Sequence, residues 1–210
     1  MRRTVYIGMS TPSGAAGLLA GAISYALGVC AMLAPGEMSL PTPCAEWDLS
    51  ALLGHLGDSM ADLETALRTG ELDLARPPGQ AGGAPGDPLE ALRDRAAELL
   101  CAAYGYHGPE RFVAVGGLPI PAGVLACTGA IEIAVHGWDV SQARGCGRPI
   151  PPALATRMLG LCPLLVAGRE GLFAVPVPVP AQASPGDRLV SYLGRRPRNT
   201  PGWPGVVTGE

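Results

Sequence analysis

Apolar residues recur along this chain at helical rather than strand spacing. The pattern is plainest between Leu49 and Arg68, where Leu49, Leu52, Leu53, Leu56, Met60, Leu63 and Leu67 form one stripe. Asp48 stands where an N-cap belongs, after the turn Pro41-Thr42-Pro43-Cys44-Ala45-Glu46-Trp47. The same spacing predicts helices over Gly14–Leu33, stopped by Pro35-Gly36, over Leu89–Tyr104, over Pro121–Arg144, ended by Gly145, and over Ala153–Val166 after Pro151-Pro152. Residues 76–88 are rich in Pro and Gly and predict a loop. Arg111–Val115 alternates and predicts a short strand or hairpin before Gly116-Gly117. Val175–Pro180, with proline at every second position, reads as extended chain. Asp187–Leu193 predicts a last turn or two of helix, and the polar tail from Arg195 is expected to fray. The expected fold is all-α. It is an antiparallel four-helix bundle with an extra helix, a short strand or hairpin and an extended C-terminal segment, in one domain over residues 1–210 with its core at 14–194.

The first predicted helix contains a stretch that also fits a membrane span, since Ala15–Ala34 carries no charge and follows Arg2 and Arg3. Its composition argues for the other reading. The segment is rich in Gly and Ala, holds Ser24 and Tyr25, and places Leu18, Leu19, Ala22, Ala26, Val29 and Leu33 at helical spacing. It is expected to be a core helix of a protein without a membrane anchor. A net charge of −3, from 15 Lys and Arg against 18 Asp and Glu, supplies no basic footprint for nucleic acid. The six cysteines, at 30, 44, 101, 127, 146 and 162, include no Cys-x-x-Cys pair and predict reduced, mostly buried thiols in a cytoplasmic protein.

The chemistry concentrates in the fourth predicted helix. From Ala122 to Trp138 only Glu132 and His136 bear an acid–base group that titrates near or below neutrality. Four residues apart, they project from one face, and Asp139 falls on the same stripe. Around them lie Val124, Ala126, Ala130, Ile131, Ile133, Ala134, Val135 and Trp138, so the helix is apolar nearly all round and expected to be buried. A buried carboxylate must be neutralised, paired or bound to metal. Either a metal ion or a hydrogen-bonded Glu–His pair answers Glu132. Without metal the carboxylate is expected to be driven toward its neutral form, so that Glu132→Leu would leave the apoprotein at least as stable as wild type. Asp139 either orients a ligating imidazole or caps local backbone. Trp138 is read as packing.

Histidine is scarce, at positions 55, 107 and 136. His107 lies in the turn Tyr106-His107-Gly108-Pro109 and reads as a solvated loop residue. His55 sits about 120° from the leucine stripe of its helix, at the flank where a side chain turns toward a neighbouring helix, with Asp48, Ser59 and Asp62 on the same side. Two imidazoles and one carboxylate, His55, Glu132 and His136, make a three-ligand set with a position left open, the form used by catalytic zinc. Arg144 and Arg111 are candidate anchors for an anionic substrate, with an equally good surface reading.

These segments resemble a known family. Thr42-Pro43-Cys44-Ala45-Glu46-Trp47, Leu52-Leu53-Gly54-His55-Leu56, Glu132-Ile133-Ala134-Val135-His136-Gly137-Trp138-Asp139 and Ala143-Arg144-Gly145 are similar to the mycothiol-dependent maleylpyruvate isomerase-like branch of the DinB superfamily, and the ending Ala183–Leu189 is similar to its short actinobacterial members. The resemblance implies a four-helix bundle that binds a divalent metal, usually Zn2+, through His55, Glu132 and His136. It also implies a low-molecular-weight thiol such as mycothiol as cosubstrate, and a small electrophile as the other partner. The expected activity is a metal-dependent thiol S-transferase or thiol-assisted isomerase. The alternatives are a hydrolase or lyase using metal-bound water, or a non-catalytic metal-binding scaffold. The oligomeric state stays open, with a dimer among the options.

Overall fold

The computed structural model describes residues 12–44, 47–73, 87–105, 111–165 and 174–197. The chain divides into two compact units, Met1–Arg148 and Pro149–Glu210. Among its described residues the first holds four α-helices: α1 (Pro12–Cys30), α2 (Leu49–Thr69), α3 (Pro88–Gly105) and α4 (Ala122–Ala143). They close a ring in which α1 packs on α4 and α3, and α2 packs on α3 and α4. This is the expected helical bundle. Its centre is the leucine stripe of α2, every member of which is buried, together with Leu18, Leu19 and Ile23 of α1 and Ile133 of α4. Each such side chain contributes about 1.5–3 kcal/mol on leaving water.

The ends of α2 follow their capping chemistry. The Asp48 carboxylate accepts a hydrogen bond from the Ala51 amide at 2.8 Å, and Gly70 stops the helix in the left-handed region, its N–H bonded to Ala66 O at 2.9 Å. Helix α1 ends three residues earlier than its apolar run. Met32 and Leu33 bond back to Val29 and Cys30, tightening the last turn, and Ala34 is extended because Pro35 follows it. A short 3-10 turn, Pro35–Glu37, then begins the passage to α2. No helix among the described residues is long and apolar enough to cross a membrane. Ala15 through Cys30 instead supplies ten buried residues to the bundle, as the core-helix reading expects.

The predicted strand is one edge of a hairpin. Strands β2 (Phe112–Val115) and β3 (Leu118–Pro121) pair antiparallel, and Gly116 and Gly117, both at positive φ, make the two-residue turn that matches strand twist. A two-residue strand β1 (Glu71–Leu72) adds to β2 in parallel. Strand β3 leads directly into α4, which begins at Ala122.

The second unit holds α5 (Pro152–Leu165) and α6 (Pro185–Tyr192), which pack together. Residues 174–180 are non-helical, as the alternating prolines require, and Val177 N–H bonds Ser191 O at 2.9 Å. The Ser184 hydroxyl caps α6 by accepting from the Asp187 amide. The His107 turn, most of the 76–88 loop and the tail beyond Pro197 lie outside the described residues.

One contact fixes how closely α1 and α4 approach. A Cβ at Gly137 would stand 3.0 Å from both Cα and Cβ of Ala26 and 3.3 Å from the Tyr25 ring. Alanine would gain about 1 kcal/mol of helix propensity over glycine, but two of the atoms it meets are bound to α1 backbone. Gly137→Ala is therefore expected to destabilise the protein by about 1–3 kcal/mol. Chemical unfolding of the pair checks this, and a variant more stable than wild type would show that the helices can separate at little cost.

Candidate functional site

Three segments of the first unit converge on one polar cluster. Helix α2 contributes His55 and, one turn on, Ser59. Helix α4 contributes Glu132, His136 and Asp139, and the turn before α2 contributes Cys44 and Trp47. Candidate ligand atoms of His55, Glu132 and His136 all lie within 4.8 Å of one another. So do those of Cys44, His136 and Asp139, and His136 belongs to both groups.

Glu132 is the hinge of the first group. Its Oε1 accepts from Ser59 Oγ at 2.7 Å and lies 3.2 Å from His55 Nε2. The sequence expectation of a sealed, neutral carboxylate is corrected on two counts. Although α4 is buried along most of its length, the Glu132 side chain remains 35% exposed. Its pKa is also lowered, not raised. Burial pushes it up, but hydrogen bonds from His55 and Ser59, with the charges of His136 and His55, bring it below the ordinary carboxylate value. The stability gain expected of Glu132→Leu loses its basis, because leucine would strip His55 and Ser59 of their acceptor.

His136 is more deeply set, with Nδ1 3.1 Å from Oδ2 of Asp139, one turn further along α4. The Asp139 carboxylate is fully buried. Cys44 Sγ donates to the same Oδ2 at 3.2 Å and lies 3.9 Å from His136 Nδ1. With Nδ1 turned to a carboxylate, the imidazole can offer Nε2 to a ligand. The two imidazoles meet edge to face at 5.0 Å between centroids. Trp47, 36% exposed, tilts over both, 4.6 Å from the His55 ring and 6.2 Å from that of His136.

Cys44 and Trp47 are held by the Thr42 hydroxyl and by local backbone bonds. Thr42 Oγ1 accepts from the Cys44 amide at 3.1 Å and donates to Trp47 O at 2.9 Å, while Trp47 N–H bonds Cys44 O. A bridge between Pro41 and Asp48 closes the loop at the start of α2. Outside the turn, Ser39, Pro41, Thr42, Cys44, Trp47, Asp48 and Ala51 line an open pocket of about 390 Å³.

Other candidates fall elsewhere. Asp48 caps α2, and Asp62 lines a separate pocket with Thr65, Thr69 and Glu71. Arg144 pairs with Glu37 at 2.9 Å, and Arg111 donates to Arg68 O at 2.7 Å. Trp138 is buried, as a packing residue should be. Of the cysteines, Cys30, Cys127 and Cys162 are buried, Cys44 is half-buried, and Cys101 and Cys146 are exposed, so burial is less general than expected. Ser59, Cys44 and Trp47 were not singled out for chemistry by residue spacing. Ser59 follows His55 by one helical turn on the same flank, which was the available signal.

The chain belongs to the family of the mycothiol maleylpyruvate isomerase N-terminal domain, which matches residues 19–141, a span that includes the whole cluster. Two uncharacterized proteins from two strains of Mycobacterium tuberculosis are each 27% identical to it over 169 residues, covering 77% of this chain and 87% of theirs. No solved structure matches.

The depressed Glu132 pKa has a signed consequence. Its ionised form contributes stability above the ordinary carboxylate pKa, and that contribution is lost as pH falls through the lower folded value. As pH falls below the ordinary glutamate value of about 4.3, metal-free wild type is expected to lose more stability than Glu132→Gln. Urea unfolding of both proteins at a series of pH values checks it, and parallel curves would remove Glu132 from the acid limb.

Proposed function

We propose that the chain binds one divalent metal, Zn2+ in the first instance, through His55, Glu132 and His136, and uses the site to direct a low-molecular-weight thiol at a small electrophile. The observation that carries this reading is the convergence of two imidazoles and one carboxylate within 4.8 Å on a partly open face of an otherwise apolar bundle. The donor set fits the group. Two neutral nitrogens and one carboxylate leave a divalent ion with a net charge near +1, which favours an added anion. The family supports a thiol partner, since it takes its name from the N-terminal domain of a mycothiol maleylpyruvate isomerase.

A bound zinc ion would supply Lewis acidity, lowering a thiol pKa from about 8.5 so that thiolate prevails at neutral pH. The remaining work belongs to the chain. Asp139 holds Nδ1 of His136 and so sets the ring orientation. Ser59 fixes the Glu132 carboxylate. The hydrogen bond between His55 Nε2 and Glu132 Oε1 must be given up before both atoms can ligate one ion. Trp47 screens one side of the cluster, and the adjoining pocket has room for a small molecule.

Protein purified without chelator is expected to carry close to one divalent metal per chain by elemental analysis. His55→Ala and His136→Ala should each empty the site, and full metal retention by either would reject this ligand set. Turnover of candidate electrophiles should require an added thiol. Activity that persists with every thiol omitted would move the assignment to a hydrolase or lyase on the same residues.

A further inference from the structure

The second group of converging atoms is not needed to hold a metal at His55, Glu132 and His136, yet it shares an imidazole with that site. Asp139 is fully buried, and its Oδ2 receives both His136 Nδ1 at 3.1 Å and Cys44 Sγ at 3.2 Å. The residue that carries the Cys44 thiol is in turn held by local hydrogen bonds. Thr42 Oγ1 accepts from the Cys44 amide, Cys44 O accepts from Trp47 N–H, and the Pro41–Asp48 bridge ties the turn to the capped start of α2. A buried carboxylate keeps a fixed orientation only while donors hold it, and a thiol is a donor of that kind, though a weak one.

We infer that Cys44 is a positioning residue for the metal site: its S–H donates to Asp139, and through Asp139 it fixes the His136 ring, so that the turn before α2 holds a ligand on α4. The inference rests on the proposed metal site and adds a residue to it. Cys44 has a structural companion in the same turn, Trp47, which lies against the rings of both His55 and His136. The turn therefore braces the His136 side of the cluster from two directions, by hydrogen bonding and by ring contact.

Three substitutions separate a donor from a space-filler. Cys44→Ser keeps a donor on the same Cβ, Cys44→Val keeps the volume without the donor, and Cys44→Ala keeps neither. Full-length apoprotein of each is titrated with cobalt(II), followed by its visible absorption, and the apo forms are compared by thermal unfolding. Loss of a contact one step removed from a metal typically weakens binding about 10–100-fold. Val and Ala are expected to weaken cobalt binding about tenfold, near the lower end of that range, with Ser close to wild type. Unchanged affinity in Val and Ala, or Val alone resembling wild type, overturns the donor role while leaving the metal site standing. A near-ultraviolet thiolate-to-cobalt band in wild type that is lost in Cys44→Ser also overturns it, because Cys44 would then be a ligand itself. Wild type that takes up no cobalt overturns both this inference and the site it rests on.

Discussion

A helix buried as thoroughly as α4 tolerates charge only where a partner meets it, and the partners of Glu132 come from α2. The hydrogen bond from Ser59 and the contact with His55 Nε2 both fall on one carboxylate oxygen. They lower the Glu132 pKa against the opposing effect of burial. That pairing determines the relative rotation of two helices, since His55 must face α4 at the level of Glu132 while Leu52, Leu56 and Met60 face the core. The polar cluster and the leucine stripe are thus two consequences of one register.

Depth along α4 grades the chemistry. Glu132 is open at 35%, His136 nearly closed at 11%, and Asp139 sealed. The outer carboxylate is open to an incoming partner, whereas the inner one is held by His136 and Cys44 inside the bundle. Gly137 lies between the inner pair, and its missing side chain lets α1 approach within contact of α4. The close approach that helps seal this stretch of α4 therefore occurs within the same turn that carries His136 and Asp139. Packing and chemistry share residues here, so a substitution at Gly137 would be felt at both.

Much of this was legible in the sequence because it depends on period. The leucine stripe placed α2, and the four- and seven-residue intervals from Glu132 placed His136 and Asp139 on one face. The flank position of His55 led toward the same cluster. What period could not show was the environment of Glu132. An all-apolar neighbourhood along α4 implied a sealed carboxylate, but the face of α2 opposite it carries a hydroxyl and an imidazole and leaves a gap to solvent. Burial is a property of the facing surface, and a single helix does not contain it. The two-residue strand β1 was too short to leave a pattern, and α1 closes with the tighter bonds of Met32 and Leu33 ahead of the Ala34 that Pro35 holds extended.

Cys44 and Trp47 were invisible to periodicity for a different reason, since they lie in a turn whose geometry is set by local hydrogen bonds. A turn is usually a connector, and its residues are free to vary so long as the ends meet. This one is tied at its described residues, by the Pro41–Asp48 bridge, by the Thr42 hydroxyl bonded to Cys44 and Trp47, and by the N-cap of α2. Such constraint has a mechanical effect. A side chain on a well-held turn can restrain a group on a distant helix as firmly as one projecting from another helix. Cys44 and Trp47 each reach His136, 92 and 89 residues further along the chain. The polar cluster then has three supports, α2, α4 and the turn, and the third braces the His136 side while Glu132 stays partly open.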